Sequence, residues 1–145
     1  MAGQLTSFSF ANLSCLVNDS QVTGFWEGDD VINIEQNKPD GNPVVGVDGC
    51  AVVSRPVDQS AKITIQCSPN GDAHKMFTNM KRSIDSNQRQ NFAFAVTDTG
   101  NGEGGASTEA TIIEAPNMQF GENAVARTWI LFANNFRWNE VEYTV

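Results

Sequence analysis

The sequence predicts a mainly β protein: an antiparallel β-barrel or sandwich with one flanking α-helix and a long projecting loop or hairpin. Three observations carry this reading. Apolar residues recur every second position in run after run, which is the mark of strands with one buried face. Turn residues separate the runs, as at Asn18-Asp19-Ser20, Pro39-Asp40-Gly41, Asp48-Gly49 and Pro69-Asn70-Gly71. One stretch alone carries a helical period.

Taken in order, Phe8 and Phe10 alternate with Ser7 and Ser9 and predict a short first strand. Leu13, Cys15 and Val17 form one face of a second run, and Ile32 and Ile34 alternate with Asn33 and Glu35. The segment from about 36 to 59 follows, with Pro39, Gly41, Pro43, Gly46, Gly49 and Pro56 around the apolar pieces Val44-Val45 and Ala51-Val53. Structureless loops of this length are uncommon and often functional, so it is expected to be an extended hairpin projecting from the body. Ile63, Ile65 and Cys67 alternate with Lys62, Thr64 and Gln66. Next comes the helix, expected over about 72–84. Ala73, Met76, Phe77, Met80 and Ile84 fall on one side, Lys75, Lys81 and Arg82 on the other, and Asn70 or Asp72 is placed to cap it. A Met-and-Phe stripe of this kind is core packing. Phe92, Phe94 and Val96 give another strand, as do Val125, Arg127, Trp129 and Leu131.

Length and charge exclude several classes. The chain has 145 residues, which predicts one domain over 1–145. Hydrophobic residues are 40% and charged residues 18%, against about 25% charged in an average chain. A core can form, and much of the surface is uncharged. Nine basic against 17 acidic residues give a net charge of -8, which argues against a general nucleic-acid binder. The longest apolar runs, such as Trp129–Ala133, are far below the ~20 residues a bilayer span needs, so no membrane anchor is expected. The start, Met-Ala-Gly-Gln-Leu-Thr, lacks the pattern of a secretory signal, and synthesis in the cytoplasm is the expectation.

Chemistry-bearing motifs are few. Gly100-Asn-Gly102-Glu-Gly104-Gly105 satisfies GxGxxG, yet no strand–helix alternation surrounds it, and a hairpin turn is the expected role. His74 is the one histidine, in the first turn of the helix, and is expected to be solvated. With no Ser-His or Cys-His set, nucleophilic catalysis has little support, and no spacing of carboxylates favours a glycosidase. Glu27-Gly28-Asp29-Asp30 lacks EF-hand spacing and reads as solvated charge. The sequons at Asn12 and Asn18 are chance matches without secretion. Neither cofactor nor metal is expected. Of the three cysteines, Cys15 and Cys67 fall on apolar strand faces, whereas Cys50 follows Asp48-Gly49 in the long loop. There it is a candidate intermolecular thiol.

The order of segments adds a family likeness. Ser7-Phe8-Ser9-Phe10 precedes Ile32-Asn33-Ile34-Glu35, then a Pro/Gly loop closes on Val45-Gly46-Val47-Asp48-Gly49. Ala61–Ile65 leads into the helix, followed by Phe94–Asp98, Ala115-Pro116-Asn117 and Thr128–Phe132. Over nearly its whole length the chain resembles the small tail tube proteins of contractile-tailed bacteriophages. The resemblance implies a non-enzymatic structural subunit of the virion tail, made in the host bacterial cytoplasm. Six copies would form a ring, and rings would stack into a hollow tube inside a contractile sheath. Partners would be further copies, the tail sheath protein, and baseplate or initiator and terminator proteins. DNA would pass through the lumen without specific binding.

Physical reasoning assigns surfaces to that picture. Lys38, Pro39, Asp40, Gly41, Asn42, Pro43, Val44, Val45 and Val47 are the expected inter-subunit or inter-ring loop. Asn33, Glu35, Thr64 and Gln66 are candidates for the lumen face, with Lys62 beside them arguing against a purely acidic wall. The same faces are equally readable as ordinary outer surface. Two other functions fit the residues: a monomeric β-sandwich binding module for carbohydrate, with Trp26, Trp129 or Trp138 as stacking surfaces, or the tube protein of a secretion or contractile-injection machine.

Overall fold

Strict alternation along Ala61–Cys67 sets the middle of the sheet. In the computed structural model, which describes residues 8–86 and 91–140, every odd residue of this strand is buried and every even one half-exposed. The strands are β1 (Leu13–Val17), β2 (Ser20–Gln21), β3 (Ile32–Gln36), β4 (Asn42–Val45), β5 (Ala51–Ser54), β6 (Ala61–Cys67), β7 (Phe92–Asp98), β8 (Gly104–Glu114), β9 (Arg127–Asn134) and β10 (Arg137–Trp138). One helix, α1 (Asp72–Asp85), follows β6. Eight strands form one antiparallel sheet in the order β2-β1-β7-β8-β9-β6-β3, with β10 beside β8. The sheet does not close on itself, so the fold is an open sandwich rather than a barrel.

The longest strand explains how one sheet makes two layers. The first half of β8 pairs with β7, and through it with β1 and β2. Its second half pairs with β9, and through it with β6 and β3. A register shift interrupts each pairing, the places where a strand bends. The two halves turn their apolar faces toward one core containing Cys15, Phe94, Ile63, Ile65, Leu131 and Trp129. Cys15 and Cys67 sit wholly inside it, and burial pushes both thiols up to about 12.

Two expectations change in detail. Phe8 and Ser9 form no strand: Ser9 caps a single 3-10 turn, Phe10–Asn12, and Ser7 lies outside the described residues. Period-two spacing over four residues is too short to hold a strand without a partner. The helix is capped by neither Asn70 nor Asp72. Its N-cap is Gly71, which has no side chain to offer. A close crossing dictates that choice, because a Cβ on Gly71 would lie 2.5 Å from the carbonyl oxygen of Gly24. The same crossing is fastened by Ser68 N–H donating to Gly24 and Ala73 N–H donating to Thr23, at 3.0 and 2.8 Å. It ties the helix start to the strand-free segment between β2 and β3.

The helix buries Ala73, Phe77 and Met80 against the sheet, with the Phe77 ring 5.7 Å from that of Trp129. Asp72 in its first turn and Arg82 in its last complement the helix dipole. The Gly24–Gly71 crossing generates a direct check. Gly71→Ala is expected to cost about 1–3 kcal/mol, since backbone lies in the way and cannot rotate aside. Gly121→Ala, where nothing lies within 4 Å, serves as the control and leaves the urea midpoint unchanged.

Candidate assembly surfaces

The segment between β3 and β6 is a two-stranded hairpin that forms a sheet of its own. Its tip is built by Gly46 and Cys50, joined by a 2.7 Å backbone bond, and by Asp48, whose carboxylate accepts the Cys50 N–H. That bond holds the Asp48 carboxyl below its ordinary value. The sequence-derived loop residues divide along it. Lys38, Pro39, Asp40 and Gly41 lead in, Asn42, Pro43, Val44 and Val45 make β4, and Val47 stands at the tip. Every residue of β4 and β5 is exposed, on both faces. Val44, Val45 and Val52 are each more than 60% exposed. An isolated hairpin of this kind is marginal in water and hides none of its valines.

The four polar residues assigned to a shared face do share one. Asn33 is the cross-strand partner of Thr64, Glu35 that of Lys62, and Gln66 continues the row on β6. All point away from the core. The next strand adds Thr128, Ile130 and Phe132 to the same face, opposite Gln66, Thr64 and Lys62. Sequence reasoning missed these three, because alternation in β9 assigns them to a face without saying which strand lies beside them. The paired Glu35 and Lys62 make the row balanced in charge rather than acidic.

Open edges are the second feature of this face. Antiparallel pairing turns the N–H and C=O of alternate residues toward the partner. Gln66 N–H donates to Val31 and Asn37 N–H to Ser60, so Asn33 and Glu35 also face β6. Ile32, Ile34 and Gln36 therefore present their backbone groups to the outer side of β3, where no strand lies among the described residues. At the far side of the strands β3-β6-β9-β8, β8 has no β7 partner beyond Ala110 among the described residues. The edge of β1, in contrast, is largely covered by the turn back into β2.

The remaining candidates resolve into structural parts. The glycine motif forms the β7–β8 turn and the first two residues of β8: Asp98 accepts from Gly100 through its carboxylate and from Gly102 through its carbonyl. Gly104 has φ +145 and leaves no room for a Cβ beside the Val96 carbonyl, so the pattern serves the hairpin. His74 is half-buried rather than fully solvated as expected. Its Nδ1 accepts the indole N–H of buried Trp129 at 3.1 Å, and burial with the Arg127 charge lowers its pKa. Trp129 is consequently no stacking surface. Trp26 and Trp138 do border an open groove of about 620 Å³ with Phe8, Phe10, Ile32 and Ile34. Glu27, Asp29 and Asp30 are exposed, and no cluster able to hold a metal occurs among the described residues. No described helix is long and apolar enough to cross a membrane.

Another apolar surface was not foreseen. Arg127 is buried and donates to the carbonyls of Gln119 and Val125, both at 2.9 Å, with its guanidinium 5.7 Å from the Phe120 ring. This clamps the segment from 115 to 126 with Met118 80% and Phe120 87% exposed. The alternation Val125, Arg127, Trp129 placed Arg127 on the buried face, but nothing local said what the guanidinium would hold.

This fold defines a class already seen in contractile machines. The chain is similar to the tube-terminating cap of the anti-feeding prophage, with TM-score 0.59 and 15% identity over 95% of this chain and 94% of that one. It is similar to the sheath/tube terminator of an extracellular contractile injection system, PVC, in the extended state, with TM-score 0.60 and 11% identity over 94% and 99%. A chain of the PVC sheath-tube complex in the extended state gives TM-score 0.60 and 14% identity over 91% and 90%. No family model matches the sequence, and no curated protein does. The chain shares the fold of tube and terminator components of contractile injection systems.

Two checks follow from these sites. The His74 imidazole has an ordinary value of 6.5 and a lower one when folded, so the unfolded chain takes up the proton first. Its contribution is complete above pH 6.5 and falls as the pH drops below that value. Between about pH 7.5 and about pH 5.5 the Tm of the natural chain should fall more than that of His74→Gln. Thiol titration should find Cys50 reactive in the folded protein, with Cys15 and Cys67 reacting only after unfolding.

Proposed function

We propose that this chain is a structural subunit of a contractile tail-type assembly, a tube or tube-terminating protein that works through its interfaces and performs no chemistry. The observation that carries the reading is the four-strand sheet β3-β6-β9-β8, open at both edges among the described residues. Strand edges are hazards that proteins cover, charge or pair. Here β3 of one copy would pair with the second half of β8 in the next, and repetition of that step closes a ring. Six copies per ring is the number the tail-tube resemblance implies. The face carrying Asn33, Glu35, Thr64 and Gln66 would then line the lumen.

Such a wall suits passage of a polyanion. Its balanced charge offers no run of Lys or Arg to hold phosphates, and screening limits the reach of the other acidic residues to roughly 8–10 Å. The fold likeness to injection-system tubes and terminators supports the same reading and widens the cargo beyond DNA. Sheath, initiator or baseplate, and terminator proteins would be its partners, and a virion tail or an injection machine its place. A second reading rests on the groove beside Trp26 and Trp138: a monomeric module binding a small ligand such as a sugar.

Negative-stain microscopy across concentrations separates these readings. Rings or tubes from the natural chain are expected. Gln36→Pro removes an outward-facing N–H from β3 and leaves the bonds to β6 in place. It should preserve the melting curve to within about 1 kcal/mol and abolish rings. A natural chain that stays monomeric and binds sugar would replace the assembly reading with the module.

A further inference from the structure

A side chain that can only donate meets a histidine at the start of the helix. Trp129 is 2% exposed, and its indole N–H reaches His74 Nδ1 at 3.1 Å. That nitrogen accepts only while it carries no proton, so the bond selects the neutral imidazole with its hydrogen on Nε2. Two residues before Trp129, on the same buried face of β9, Arg127 keeps its charge inside the protein with uncharged partners. It donates to the carbonyls of Gln119 and Val125 and lies over the Phe120 ring, and no carboxylate pairs with it among the described residues. Those two bonds are also the only hydrogen bonds that residues 116–125 make among the described residues.

We propose that His74 is a proton-operated latch on the 115–126 segment: neutral, it holds Trp129 and leaves the Arg127 clamp closed; protonated, it opens the clamp. The step is one proton from solvent onto Nδ1 of the half-exposed ring. The indole N–H then faces another N–H and loses its acceptor, in a place where an unpaired donor is costly. A second positive charge also appears near a guanidinium that has no carboxylate to offset it. Like charges repel more strongly away from water. Arg127 relieves the repulsion by swinging outward, which releases both carbonyls and frees the segment that carries Met118 and Phe120. The latch alters an exposed apolar surface while leaving the sheet edges alone, and it does not depend on the assembly reading.

The groups around His74 set the direction of the response. Burial, and then the Arg127 charge on β9, lower its pKa from 6.5. β6 brings the Cys67 thiol opposite Arg127, uncharged because burial pushes it up to about 12. The 22–26 segment, bonded to the helix start, has no titratable side chain. On α1 itself Asp72 and Lys75 are exposed and opposite in sign, and Glu122 of the 115–126 segment is exposed as well. The latch is therefore closed at about pH 7.5 and opens as the pH falls through the lowered value.

Nuclear magnetic resonance of the full chain tests the latch, because it follows the His74 ring, the Trp129 indole and the segment backbone separately. Between about pH 7.5 and about pH 5 the indole N–H signal should shift in step with protonation of His74. Over the same range the backbone order parameters of residues 118–125 should fall from about 0.8 to below about 0.6. In His74→Asn an amide oxygen takes the place of Nδ1 as acceptor and binds no proton, so both readings should stay constant. His74→Lys carries a lasting charge at this half-exposed position and should show the loosened segment at both pH values. Unchanged amide signals from β6 distinguish opening of the segment from loss of the fold. Order parameters that stay high with His74 protonated, that fall equally in His74→Asn, or that fall only together with β6, would overturn the latch.

Discussion

Every backbone N–H and C=O in a sheet needs a partner, and among the described residues this sheet runs out of strands before it closes. That shortage organises the molecule. One long strand, β8, bends and serves two layers, which completes a core from a single sheet. Among the described residues the bend also leaves the second half of β8 without its β7 partner, just as β3 is left at the other side. Lys and Pro are absent from β3, although such residues commonly protect an edge. Two such edges are what the proposed pairing between copies would use.

Protection elsewhere makes the openness of β3 informative. The edge of β1 is covered by the turn through Asn18 and Asp19, both at positive φ, which returns the chain as β2. The hairpin strand β4 carries Pro43, an edge residue with no N–H to offer. At the helix end, the Gly24–Gly71 crossing draws the 22–26 segment against the helix start, and Phe25 bridges to Cys67. The chain closes its edges in some places and leaves others open.

Much of the fold was legible in the sequence because its signals are local. Period-two runs located β1, β3, β6, β7 and β9, and one apolar stripe gave the helix as 72–84 against an observed 72–85. The projecting hairpin followed from two valine pieces bracketed by turn residues. What the sequence concealed depends on neighbours distant along the chain. His74 bonds Trp129 across 55 residues, Gly71 meets Gly24 across the helix entry, and Arg127 reaches back to Gln119. The candidate surface was half legible: Asn33, Glu35, Thr64 and Gln66 lie together as alternation required, while Ile130, Phe132 and the outward-facing Phe120 needed the tertiary arrangement.

The central claim is that β3 is an edge awaiting a second copy. Amide hydrogen exchange at Ile32, Ile34 and Gln36, followed as protein concentration rises, tests it most directly. Fast exchange in the dilute chain and strong protection in the concentrated one are the predicted result, with Asn33 and Glu35 protected throughout. Exchange at these three amides that is independent of concentration, in a sample that otherwise assembles, would contradict edge pairing through β3.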